Sequence, residues 1–169
     1  LEELMNDDDV KAVVVRINSG GGDAYASEQM WHQMSELRKV KPVVVSMGDY
    51  AASGAYYMSA PASWIVAQPN TLTGSIGIFA VIPDFSGLVT TKLGVRFDEV
   101  KTNRHSTFGN LMARPFNAEE TAMLQASVNR GYSLFRQRVA DGRHLPIESV
   151  EKIAQGRVWL ATDALNIKL

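Results

Sequence analysis

The spacing of apolar positions changes several times along the chain, and each change marks an element. Lys11-Ala12-Val13-Val14-Val15-Arg16-Ile17 is a β-branched run that predicts a strand, and Asn18-Ser19-Gly20-Gly21-Gly22-Asp23 is a glycine turn behind it. A helix follows from about Ala24 to Lys39, with Met30, Met34 and Leu37 on one face. Pro42-Val43-Val44-Val45-Ser46-Met47 is short, apolar and β-branched, as expected of a strand covered on both faces. Strand, turn, helix and strand make a βαβ unit, hence a parallel sheet with a right-handed crossover. The next stretch, Gly48-Asp49-Tyr50-Ala51-Ala52-Ser53-Gly54-Ala55-Tyr56-Tyr57, sets a serine among small residues where the chain passes from that strand into a helical segment.

Ser63 to Ala67 reads as another short strand, and Asn70 to Ile78 as a turn entering a further one. Pro83 to Lys92 is expected to be a second crossover helix and Gly94 to Val100 a strand. Lys101 to Pro115 is polar and patternless, the kind of long loop that often carries function. Asn117 with Glu120 forms an N-cap pair opening a helix to about Asp141, with Leu124, Val128, Phe135 and Val139 towards the core and Gly142 as its stop. Pro146 to Gln155 is a shorter helix ended by Gly156, and Arg157-Val158-Trp159 precedes a final turn. Without repeat, linker or low-complexity run, residues 1–169 read as one α/β domain.

Composition narrows the function. The 169 residues are 46% hydrophobic and 21% charged, ordinary for a folded domain, and the net charge of -1 gives no electrostatic case for nucleic acid. With no cysteine, thiol catalysis, disulfides and thiolate metal sites are excluded. Asp7-Asp8-Asp9 lacks the glycine and distal glutamate of a calcium loop and reads as a solvated turn; no metal is expected. The triple glycine lacks the Lys-Ser/Thr pair of a P-loop and the spacing of a dinucleotide fingerprint, and no cofactor is called for. No apolar stretch approaches the roughly 20 residues that span a bilayer, so the piece is expected to be soluble. It opens on Leu1 and its last element runs into Leu169, which reads as part of a longer protein.

Candidate chemistry centres on Ser53. In a parallel sheet the loops at the carboxyl ends of neighbouring strands converge, bringing the glycine turn beside the serine. Gly21 and Gly54 are then the natural N–H donors for an oxyanion, because glycine lets a carbonyl approach the main chain closely. The base stays open. His32 lies within the first helix and His144 in a late turn; His105, in the long loop, needs a carboxylate partner, and Lys101 needs burial to lose its proton.

Four segments together resemble the signal peptide peptidase A (protease IV) family: Ile17 to Gly22, Gly48 to Tyr57, Thr71 to Gly77 and Gly156 to Trp159. The similarity is greatest to the carboxyl-terminal, serine-bearing half of the long two-repeat bacterial form. It implies a Clp-protease/crotonase-like fold with repeated β-β-α-type units and a largely parallel sheet. It also implies a serine–lysine dyad with Ser53 as nucleophile, Gly21 and Gly54 as oxyanion donors and Ser75 orienting the lysine. In short relatives the base lysine stands near the end of a segment like Lys101 to Ser106, and here that place falls at about Ser106. The implied lysine is supplied by the amino-terminal half of the same protein in a neighbouring subunit. The resemblance further implies a homotetramer, a membrane anchor, the periplasmic side of the bacterial inner membrane and remnant signal peptides as substrates. The family often has proline at Gly20 and glycine near Ala161. Two other readings are kept: a crotonase-type acyl-CoA enzyme and a non-catalytic assembly domain.

Overall fold

The computed structural model describes residues 1–169 and divides them into two units, Leu1–Ile78 with Gly131–Leu169, and Phe79–Arg130. The first unit is built on a five-stranded sheet. Its strands are β1 (Val13–Ser19), β2 (Val43–Ala52), β3 (Trp64–Val66), β4 (Leu72–Gly74) and β5 (Val158–Leu160). Their order is β1-β2-β4-β5, with β3 beside the first half of β2. β1, β3 and β4 all run parallel to β2, and only β5 is antiparallel, to β4. The mostly parallel α/β architecture is the one that the Clp/crotonase resemblance implied.

Helix α1 (Glu2–Asn6) precedes β1, and α2 (Ala24–Val40) makes the crossover to β2. Asp23 caps α2 by accepting from the Ala26 N–H at 2.8 Å, so the last polar residue of the glycine turn starts the helix. Met34 and Leu37 are buried as their spacing predicts, whereas Met30 is exposed near the mouth of the glycine loop. Val43, Val45 and Met47 point one way from β2 and are buried; Val44 and Ser46 on the other face are only half-buried. The strand is thus fully covered on one side, not both. Arg16 occupies the second face, donating to Ser46 Oγ at 2.8 Å and the Met47 carbonyl at 3.0 Å.

β2 runs beyond the expected Met47, to Ala52, because a register shift absorbs Gly48 to Tyr50. Ile17 faces Met47 and Ser19 faces Ala51, so two steps on β1 match four on β2. The Asn18 side chain fills the difference, accepting from the Tyr50 N–H at 3.1 Å and lying across Gly48. Helix α3 (Gly54–Ser59) follows Ser53, and α4 (Ala118–Arg143), α5 (Ile147–Ile153) and α6 (Ala161–Asn166) complete the set. Gly142 does not stop α4. It lies inside the last turn, where a Cβ would stand 2.3 Å from the Ala60 carbonyl oxygen, so close packing against Ala60 selects glycine there.

The second unit contains no strand: residues 94–100, expected to be one, pair with nothing, and the expected helix from Pro83 is a single π-helical segment, Gly87–Lys92. Alternating valine and phenylalanine at Val95 and Phe97 suggested a strand, but both side chains remain more than two-fifths exposed. An ion-pair centre organises this unit instead. Glu120 is fully buried and takes Arg114 through both carboxylate oxygens, at 2.7 and 2.8 Å. Asn117 and Glu120 exchange side-chain-to-backbone hydrogen bonds of 2.9 Å each way, the expected capping box. The Arg114 hydrogen bonds and the Asn117 N–H hold the Glu120 carboxyl down at about 2 against its burial. No helix is long and apolar enough to cross a membrane.

Candidate active site

Three parallel strands end at one edge of the sheet, and each delivers one part of the candidate site. β2 delivers Ser53, flanked by β1 with the glycine loop on one side and by β4 with Ser75 on the other. The last β2–β4 pair is Ala52 with Gly74; one step further, the Ser53 N–H donates to the Gly74 carbonyl at 2.9 Å. Ser53 and Ser75 therefore leave adjacent strands side by side. Both have positive φ, 51° and 49°.

Ser53 has φ 51° and ψ −122°, a sparsely populated conformation for a residue with a side chain. Such strain at a strand-to-helix turn lifts a hydroxyl away from the main chain, the geometry of a nucleophile elbow. The small neighbours permit it: Ala51, Ala52, Gly54 and Ala55 are all buried, and Tyr57 N–H secures the turn by donating to the Ser53 carbonyl at 2.8 Å. The Ser53 hydroxyl does not cap α3 and is only half-buried.

The glycine loop lies against this turn. A Cβ on Gly21 would stand 2.7 Å from both the Gly54 nitrogen and Ser53 Cβ, and 2.9 Å from the Ala52 carbonyl oxygen. Gly21 also has φ 105°, a region that side chains rarely enter. The Gly21 N–H makes a long 3.2 Å bond to the exposed Ser19 Oγ, an exchangeable partner. Gly54 is as tightly enclosed: its Cβ would meet Ser27 Oγ at 2.3 Å and the Gly22 nitrogen at 3.1 Å. The structure thus brings Ser53, Gly21, Gly54 and Ser75 to one place.

Sequence reasoning passed over Gly22, whose nitrogen joins the same cluster, and Ser27, which packs on Gly54. Ser27 falls four residues after Asp23 and donates to its carbonyl at 2.8 Å, a polar residue on the buried face of α2. That polar interruption was its only signal.

A pocket of about 300 Å³ opens beside these glycines, lined by Val15, Ile17, Ala26, Met30 and Met58 among others. Most of its exposed wall is apolar, and Arg16, Asn18 and Asp23 are its larger polar members. It is large enough for one apolar side chain next to a carbonyl held at Gly21 and Gly54.

Two of the candidate bases have carboxylate partners. Lys101 Nζ lies 3.1 Å from the Glu99 carboxylate, and His105 Nε2 lies 3.3 Å from Glu119, which Arg104 also holds at 2.6 Å. His32 and His144 are exposed, and Ser106 donates to the Asn103 carbonyl at 3.1 Å. No group of three or more His, Asp and Glu side chains is arranged to hold a metal ion.

Chemically, the arrangement offers a strained hydroxyl beside the backbone nitrogens of Gly21 and Gly54 and a largely apolar pocket, which suits acyl transfer at a peptide carbonyl. Comparison with known proteins agrees with that chemistry. The chain is 42% identical over 169 residues to Protease 4 of Haemophilus influenzae, covering 98% of this chain and 27% of that one. It is 40% identical over 154 residues to a chloroplastic serine protease SPPA of Arabidopsis thaliana, covering 91% and 23% respectively. A putative signal peptide peptidase of Enterococcus faecium is 32% identical over 167 residues, covering 98% and 48%. The chain therefore spans about a quarter of the first two relatives and about half of the third. The model of peptidase family S49 matches residues 35–169, which include β2, Ser53 and β4, and the Haemophilus alignment extends over 98% of the chain, glycine loop included. The chain belongs to peptidase family S49.

Proposed function

We propose that this chain is the serine-bearing part of a serine peptidase in which Ser53 is the nucleophile and a lysine from outside these 169 residues is the base. The observation that carries the reading is the strained Ser53 turn with Gly21 and Gly54 packed against it and Ser75 on the adjoining strand end. Ser53 Oγ attacks the scissile carbonyl carbon while its proton passes to the neutral lysine amine. The carbonyl oxygen takes up the negative charge and is held by the N–H groups of Gly21 and Gly54. Collapse expels the leaving amine, which receives the proton from the lysine, and leaves an acyl ester on Ser53. Water, deprotonated by the same lysine, then releases the acid and restores Ser53. Ser75 hydrogen-bonds the lysine and aims it.

An apolar side chain of the substrate fills the 300 Å³ pocket, in keeping with remnant signal peptides cleaved within their apolar stretch. The relatives' names, Protease 4 and signal peptide peptidase, support that substrate class. By the same likeness the lysine comes from the amino-terminal half of the protein in a neighbouring copy of a homotetramer, anchored in the inner membrane and facing the periplasm.

A fluorophosphonate probe, read by mass spectrometry of the peptide containing Ser53, tests the proposal. The full-length protein is expected to label rapidly at Ser53 and the isolated 169-residue chain to remain essentially unlabelled. Rapid labelling of Ser53 in the isolated chain would overturn the external base and return Lys101 or His105 to that role.

A further inference from the structure

Two loops must keep a fixed separation for Gly21 and Gly54 to act on one oxygen, and each loop opens a helix. The glycine loop runs into α2 through Asp23, and the Ser53 turn runs into α3. At the first turns the helices touch through Ser27 and the bare Cα of Gly54. The next residue adds a directional polar restraint to their packing. The Glu28 carboxylate of α2 accepts a hydrogen bond from the Tyr57 hydroxyl of α3. The same carboxylate takes Arg138 of α4 at 2.6 Å from Nη2 and 3.3 Å from Nε. Arg138 is fixed in turn, its guanidinium 3.6 Å above the Trp31 ring of α2, and the Tyr57 ring lies 4.6 Å from that of Phe135.

We propose that Glu28 is a positioning residue: gripped by Tyr57 and Arg138, it sets the distance between the glycine loop and the Ser53–Gly54 turn. The inference rests on the reading of Ser53 as the nucleophile. Tyr57 is one turn beyond Ser53 and its N–H holds the Ser53 carbonyl, so its hydroxyl and its backbone connect Glu28 to the strained turn with no intervening residue. Glu28 and Arg138 are part-buried, and a bidentate guanidinium fork is directional where apolar packing is not. Burial alone would raise the Glu28 carboxyl, but the Arg138 and Tyr57 hydrogen bonds outweigh it and hold it below the ordinary range, so the clamp is charged at neutral pH. None of the three side chains hydrogen-bonds the Ser53 hydroxyl; they act through the backbone.

The test uses the full-length protein, with turnover of a chromogenic peptide substrate and affinity for a peptide boronic acid, which forms a tetrahedral adduct on a nucleophilic serine. Tyr57→Phe removes one hydrogen bond while keeping the ring on Phe135 and the Glu28–Arg138 pair, so it keeps the fold. It is expected to lower kcat about 10- to 100-fold, as a misplacement of about 1 Å does. KM should stay within about twofold while boronate affinity falls in step with kcat. Glu28→Leu should show the same pattern, and Glu28→Gln, which keeps an acceptor oxygen for Tyr57 but sets an amide N–H against the Arg138 Nη2 donor, should recover only part of the rate. Unchanged kcat in both Tyr57→Phe and Glu28→Leu would overturn the inference, as would losses that track melting temperature and leave boronate affinity intact. Ser53→Ala run alongside separates the two levels: if it is inactive the nucleophile reading stands whatever Glu28 does, and if it still turns over, that reading is what has failed.

Discussion

Replacing Gly21 by alanine puts the proposed oxyanion site under a load that can be worked out from contacts. The added Cβ would sit 2.7 Å from the Gly54 nitrogen and from Ser53 Cβ, about 0.7 Å inside the 3.4 Å at which ordinary contact begins. None of the atoms met is a flexible side-chain end; two are backbone and the third is the first carbon of the nucleophile. The backbone must therefore yield, and φ 105° makes alanine strained in addition. Strain of that kind costs about 1–3 kcal/mol, or roughly 2–4 °C in Tm per kcal/mol for a chain of this size. The larger effect falls on rate, since loss of one aimed donor costs about 100- to 1,000-fold in kcat. The assay is kcat and KM of full-length Gly21→Ala beside Gly20→Ala, whose Cβ meets nothing within 4 Å. Gly20→Ala should stay near wild type. A Gly21→Ala enzyme with kcat within threefold of Gly20→Ala would refute the geometric argument.

Two further outcomes concern stability. Glu120 has a folded pKa of about 2 against an ordinary 4.5, so its contribution is fully present above about pH 4.5 and is lost as pH falls towards 2. Protection factors against amide exchange across residues 79–130, each rate divided by the intrinsic rate at that pH, should fall over that window, and Glu120→Gln, which removes the titration, should flatten the dependence; wild-type protection factors level down to pH 2 would refute the assignment. Leu37→Ala empties a site with no solvent exposure in the first unit and is expected to cost about 2–5 kcal/mol in urea unfolding; a cost under 1 kcal/mol would mean the core there is not close-packed.

The first unit was legible because its elements are local and strongly patterned. β1, α2 and the start of β2 lie close to their expected bounds, since β-branched runs and an amphipathic helix leave little choice, whereas β2 continues five residues past the expected Met47. Ser53, Gly21 and Gly54 could be grouped because parallel strands place their following loops together, a rule of topology rather than of side chains. The register shift at Asn18 was not visible, because it depends on a side chain filling a gap between two strands. Residues 94–100 misled for the converse reason: alternation predicts a strand only where a neighbour exists to pair with it. The Glu28 clamp escaped because its partners, Tyr57 and Arg138, lie far apart in sequence and each looks like an ordinary surface-facing helical residue.

The backbone of Ser53 bears on how such a domain can change over time. A residue with φ 51° and ψ −122° pays a conformational penalty of about 1–3 kcal/mol that glycine would not. Ser53→Gly would remove the hydroxyl and the strain together, so the inactive form of this fold is expected to be the more stable one. Inactivation is thermodynamically downhill at this position, and a silent copy of the domain could persist as a sturdy scaffold, whereas an active copy keeps its serine only while the chemistry is selected.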